Sequence, residues 1–225
     1  FFASTDEGAV FEIETSDGGT TKIINENGGN NSFEQVAISK PQVTRLIVDF
    51  NGSGAITNIL FDQIGCYGML QPLADIQTLT AGSVLNELTT FTAGTINISA
   101  TKYLQSGVVE TGMVRVMVEE RGIAMIFNSS NPTGGDLDLG TPHFRAVAGG
   151  PGVGFAGKPN QLFPNIVAQG NVIIISEDGN TTEPDDNQFG GTITFDFDPP
   201  VDIDSIGLLD NGAFQPQALW LSDSH

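Results

Sequence analysis

Positive charge is scarce in this chain of 225 residues: eight Lys and Arg stand against 27 Asp and Glu, for a formal net charge of −19. Such a surface repels phosphate backbones and anionic headgroups, which argues against nucleic acid and anionic lipid as partners. Histidine is limited to His143 and His225, so a nucleophile–histidine–acid relay would have to use His143, beside Pro142 in a polar loop. Cys66 is the single cysteine, which excludes an intrachain disulfide, a cysteine-rich zinc site and a redox pair. A chain of this length buries an adequate core without disulfides, so their absence is compatible with export. No apolar run reaches the roughly twenty residues of a spanning helix, and no membrane insertion is expected. The start at Phe1, with no charged-then-apolar leader, reads as that of a processed mature product.

What is present is mostly strand. Residues 43–50 alternate, with Thr44, Leu46, Val48 and Phe50 on one face and Arg45 and Asp49 on the other. Residues 192–198 repeat that period with Ile193, Phe195 and Phe197 inward, until Pro199 and Pro200 are expected to stop the pairing. Val172, Ile173, Ile174 and Ile175 are apolar on both faces, as in a strand central to a sheet. Further strands are expected at 9–14, 21–24, 55–61, 95–100, 113–118, 124–127, 203–209 and 218–221. One helix is expected, over 71–88, interrupted by Gly82. Short strands separated by Gly, Asn, Asp and Pro point to an all-β fold, a jelly-roll-like β-sandwich with long acidic and Gly-rich loops. The segment 129–169 is rich in Gly and Pro, with Leu139, Phe144, Phe155 and Phe163 as its apolar anchors. A loop this long in a compact domain is functional or pinned, and a bound ion would pin it.

Two oxygen-rich, lysine-free loops supply the chemistry. Asn131-Pro132-Thr133-Gly134-Gly135-Asp136-Leu137-Asp138 follows one apolar strand, and Ser176-Glu177-Asp178-Gly179-Asn180 with Glu183-Pro184-Asp185-Asp186 follows another. Carboxylate, amide and backbone oxygens are the ligands of a hard cation, so Ca²⁺ is expected at Asp136, Asp138, Asp178, Asp185 and Asp186. The spacing is not that of an EF-hand loop. Enzymatic readings fare worse. Glu119-Glu120 and Asp185-Asp186 are adjacent pairs, and neighbours on a strand point to opposite faces, unlike the facing carboxylates of a glycosidase. Gly149-Gly150-Pro151-Gly152-Val153-Gly154 lacks the Lys-Ser/Thr of a phosphate loop. No enzymatic activity is expected.

Several short motifs in one order resemble a family. Ala124-Met125-Ile126-Phe127, Asn131-Pro132-Thr133-Gly134-Gly135-Asp136, Gly149-Gly150-Pro151-Gly152, Gly170-Asn171-Val172, Pro184-Asp185-Asp186 and Ile203-Asp204-Ser205-Ile206-Gly207-Leu208-Leu209-Asp210 look like acidic β-sandwich domains of secreted bacterial surface proteins. The resemblance spans residues 96–210 and implies an exported, cell-surface or matrix protein. It carries no activity with it. Where that family often has an aspartate after the Met-Ile-Phe strand, this chain has Asn128.

The N-terminal end suggests assembly. Phe1 and Phe2 precede the alternating Val10, Phe11, Glu12 and Ile13, and the Gly- and Asn-rich residues 25–32 follow. Residues 1–30 read as a strand arm and linker, and 31–225 as the sandwich domain. Such an arm can add to the sheet edge of a neighbouring copy, through Phe1, Phe2, Val10, Phe11 and Ile13, and a contact of that kind propagates into a homopolymer. The expected role is a calcium-stabilised structural subunit of an extracellular filament or matrix. The alternative is a calcium-dependent carbohydrate-binding module, for which Trp220, Tyr67 and Tyr103 are the flat aromatics available. Acceptor triplets for N-glycosylation occur at Asn30, Asn51, Asn97, Asn128 and Asn180, with the Asn51 and Asn180 turns best placed.

Overall fold

The computed structural model describes residues 9–25, 28–63, 71–72, 74–90, 94–105 and 117–211. Phe1, Phe2, Cys66, Tyr67 and Trp220, with the strand expected at 218–221, lie outside them. The chain is all-β: β1 (Ala9–Thr15), β2 (Thr20–Asn25), β3 (Phe33–Phe50), β4 (Ala55–Gln63), β5 (Gln71–Pro72), β6 (Glu87–Thr90), β7 (Gly94–Gln105), β8 (Met117–Gly122), β9 (Ala124–Asn128), β10 (Asn171–Ile175) and β11 (Gly191–Leu209). They pair antiparallel in the order β2-β1-β3-β11-β4-β10-β9, with β7 also on β11, β6 and β8 on β7, and β5 on β4. Among the described residues no helix is long and apolar enough to cross a membrane.

Two long strands organise the sheet. The first half of β11 lies beside β7, from Gly191 opposite Lys102 to Asp198 opposite Thr95. Its second half lies beside β4, from Val201 opposite Gln63 to Leu209 opposite Ala55, and β3 flanks both halves. Pro199 and Pro200 therefore do not end the strand. They mark the corner where it changes partner, with register shifts against β3 between Asp196 and Val201 and on to Ser205. Proline cannot donate to a ladder, and a bulged corner is the place where no donor is required.

Alternation fixes what faces inward. Phe11, Ile13, Leu46, Val48, Ile193 and Phe195 from one half of the sheet join Ile56, Ile59, Phe61, Ile203, Ile206 and Leu208 from the other in one buried cluster. The arrangement is sandwich-like, although the two halves are continuous through β3 and β11. On the opposite side of β4, β9 and β10 a second cluster of Ala55, Met125, Phe127, Val172, Ile174 and Leu209 takes in Leu139 from the segment 129–170, with Phe33 packed against it. Apolar packing on both faces explains why β10 is buried at every position.

Two expectations are corrected. The helix expected over 71–88 is a short 3-10 turn, Ala74–Thr78, between β5 and β6; Gly82, at φ of 86° and with its α-carbon against the Thr181 carbonyl, cannot continue a helix. The N-terminal arm is an interior strand of its own sheet. β1 pairs with β2 on one side and β3 on the other, Phe11 and Ile13 are fully buried, and Val10 is half-buried. Those side chains fill this chain's own core because the turn at residues 16–19 is short enough for β2 to fold straight back on β1.

Candidate cation site

Five chain segments meet at one end of the sheet. β11 ends at Leu209 and Asp210 follows in the left-handed region, at φ of 53°. β4 is entered through Ser53 and Gly54, β3 through Asn30 and Asn31, and Asp186 bridges back to Ser176 just after β10. The pairings Leu209 with Ala55 and Phe33, and Ile174 with Ala55, bring these points together. Asp136 and Asp138 reach the same place from the covering segment, around a 3-10 turn at Leu137–Leu139.

The carboxylates are closely spaced. Asp136, Asp185 and Asp186 each place an oxygen within 4.8 Å of the others. The Asp186 amide donates to Asp136 Oδ2 at 2.9 Å. Ser53 Oγ lies 2.6 Å from Asp186 Oδ2 and 2.9 Å from Asp210 Oδ2. Gly54 N–H also donates to Asp186, and Asn31 N–H to Asp210 Oδ1. Asn30 Nδ2 donates to Asp138 Oδ2 at 3.1 Å. Gly134, at φ of 67°, lies so close to Asp185 that a β-carbon would sit 2.7 Å from the aspartate's own. Only glycine lets the loop press against it.

Electrostatics define the site more sharply than distance does. Asp186 and Asp210 are buried, Asp136, Asp138 and Asp185 partly so. Burial is the largest influence on all five and raises each carboxyl above its usual range; Asp186 is pushed up to about 6, Asp210 to about 8 and Asp136 to about 9. Mutual repulsion adds to this, from Asp186 on Asp136 and from Asp138 on both Asp186 and Asp210. The ion pairs of the described residues are Lys22–Glu12, Arg45–Glu14, Arg45–Asp196 and Lys102–Glu120, so none of the five has a basic partner. Charge buried this way is neutralised by protons or by a cation. The candidate ligands are carboxylate oxygens and the Ser53 hydroxyl, a hard oxygen set that fits Ca²⁺.

The outcome for the other sequence candidates is mixed. Asp178 lies at the margin of the group: its charge acts on Asp185, but it is exposed, accepts the Asn180 amide within its own turn and is not part of the close triad. Tyr103 is half-buried and donates to Asp49 Oδ1 at 2.8 Å, so it presents no free sugar platform. His143 is fully buried, its Nε2 2.9 Å from the Gly154 carbonyl and its Nδ1 accepting the Arg145 amide at 3.0 Å. Both ring nitrogens are thus committed to backbone. Of the glycosylation triplets, Asn51 is exposed in a turn and Asn97 exposed on β7. Asn128 and Asn180 use their carbonyl oxygens on following amides, and Asn30 is engaged with Asp138.

Sequence reasoning missed Asp210, Ser53 and Asn31 as members of the site. The available signal was Asp210 itself, a carboxylate placed directly after the apolar run Ile206-Gly207-Leu208-Leu209. Comparison of the chain with protein-family models, with curated proteins and with solved structures yields no match, so the geometry of the site alone carries the functional reading.

Proposed function

We propose that this chain is a non-enzymatic structural domain of an extracellular filament or matrix, whose β framework is closed at one end by Ca²⁺ bound to Asp136, Asp138, Asp185, Asp186 and Asp210. The observation that carries the cation reading is the crowding of Asp136, Asp185 and Asp186, with oxygens within 4.8 Å of one another, beside Asp138 and the Ser53-bridged Asp210, and with no basic partner among the described ion pairs. Bound Ca²⁺ would supply the missing positive charge and tie the segment 129–170 to the ends of β4, β10 and β11. A structural role is favoured over catalysis because His143 is occupied by backbone on both nitrogens. The acidic exterior and the resemblance to secreted surface domains support an extracellular setting.

Isothermal titration with Ca²⁺ on chelator-treated protein tests this reading, with thermal melts alongside. Uptake of at least one ion and a rise in Tm are expected. No heat of binding and identical melts in Ca²⁺ and chelator would overturn it.

A further inference from the structure

The segment covering the second core is built inside out. Its interior is polar: His143 and Asn165 are fully buried, Asn165 Nδ2 donates to the Gly140 carbonyl, and Ser129 Oγ lies 2.6 Å from Thr141 Oγ1. Its exterior is apolar. Phe155 is 67% exposed and Leu162 79%, with Phe144, Ile166 and Val167 each about half exposed or more. The segment is one compact lobe: Phe144 N–H donates to Gly152, Val153 to Leu137, His143 to Asn165 and Asn165 to Gly157. Gly140 and Gly152 meet backbone to backbone, 2.7 Å from where a β-carbon would sit. The apolar side chains are therefore held on a fixed surface.

Charge distinguishes this surface from the rest of the molecule. Residues 139–176 contain no Asp or Glu, although the chain has 27, and they carry Arg145 and Lys158. Both cations sit over exposed rings, Arg145 5.5 Å from the centre of Phe144 and Lys158 4.4 Å from that of Phe155. Neither is among the ion pairs of the described residues. An apolar face rimmed by unpaired cations is matched by an acidic partner, and the rest of this chain is such a partner.

We propose that the 139–170 lobe is a docking surface for the acidic exterior of a second copy of the chain. Donor and acceptor patches differ, so the contact is heterologous and extends head to tail instead of closing on itself. Phe144, Phe155 and Leu162 supply the buried apolar centre, and Arg145 and Lys158 set orientation by charge. The proposal rests on the structural-subunit reading and replaces strand addition as its means of assembly.

Sedimentation velocity of the full chain in Ca²⁺, from micromolar to millimolar protein, tests it. Association should grow with concentration and weaken with added salt. Phe155→Asp combined with Leu162→Asp should weaken it roughly tenfold or more, and Lys158→Glu should weaken it too, each with an unchanged circular dichroism spectrum, because Phe155 and Leu162 are exposed and Lys158 is only partly buried. A wild-type chain that stays monomeric throughout, or variants that associate like wild type, would overturn the proposal. Co-sedimentation of a monomeric chain with neutral phosphatidylcholine vesicles would also overturn it, assigning the face to lipid. Calcium titration of the same samples separates the two readings: a chain that binds Ca²⁺ yet never associates overturns the docking surface alone.

Discussion

The sheet and the lobe solve the burial problem in opposite ways. In the sheet, ladders satisfy the backbone of the interior strands, so the interior accepts Phe, Ile, Leu and Val and the acids go outward. In the lobe, without ladders, the interior must itself supply donors and acceptors, so it is filled by His143, Asn165, Thr141 and Ser129 while Phe155 and Leu162 face solvent. Residue type therefore predicts burial in this protein only once the backbone's hydrogen-bonding arrangement is known.

That contrast breaks most visibly at Phe195 and Phe11. Truncation of either to Ala should cost about 3–5 kcal/mol, measured by chemical denaturation of the isolated chain. For Phe11 the same result tests cis pairing, because a strand meant for a neighbour could be truncated with little loss to the monomer. His143→Ala in the lobe should be the next largest, about 1–3 kcal/mol, since it empties a buried site and takes the side-chain partner from the partly buried Gly154 carbonyl and Arg145 amide. A loss comparable to a surface substitution would mean that the polar interior is not what holds the lobe.

The cation site sharpens the comparison by changing sign with conditions. The folded carboxyls of Asp136, Asp186 and Asp210 lie above the unfolded range near 4, at about 9, 6 and 8. Between those limits the folded metal-free chain binds more protons than the unfolded one. Its stability is complete below the unfolded value and is lost as pH rises through the folded ones. In chelator, Tm should fall from pH 5 to pH 9; in saturating Ca²⁺, which holds the carboxylates ionised, the slope should flatten or reverse. Asp186→Asn should follow the same logic, raising Tm in chelator at pH 8 while reducing the Ca²⁺-induced gain. A pH profile identical with and without Ca²⁺ would count against a shared site. The smallest effect belongs to Phe155→Ala, expected within about 0.5 kcal/mol of wild type in the monomer.

Much of the sheet was legible because period two is a strong signal. Ile193, Phe195 and Phe197 face inward as their alternation requires, and the unbroken Val172-Ile173-Ile174-Ile175 run is covered on both faces. The corner at Pro199 and Pro200 was not legible, because a proline that ends a ladder and one that turns it look alike in sequence. Phe144 and Phe155 read as anchors but are exposed, since periodicity gives no guidance where there is no regular backbone. At the site, Asp136, Asp138, Asp185 and Asp186 could be found from acid density alone. Asp178 could not be told from them, as its separation depends on a local turn. Asp210 was hidden for the converse reason: it reaches the site through strand pairing, 24 positions after Asp186.

The placement of β11 has a consequence for how the chain is made. This strand, the last described in sequence, lies between β3 and both β7 and β4, so its ladders join residues up to 176 positions apart, as Leu209 and Phe33 are. A ribosome-bound chain that ends before Gly191 has the flanks of its sheet but not the strand between them, and β3 is left with one open edge. Contacts this distant in sequence make folding slow, and the order of synthesis makes it late. The apolar strands of the N-terminal half must therefore wait, unpaired on one side, for nearly the whole chain to emerge.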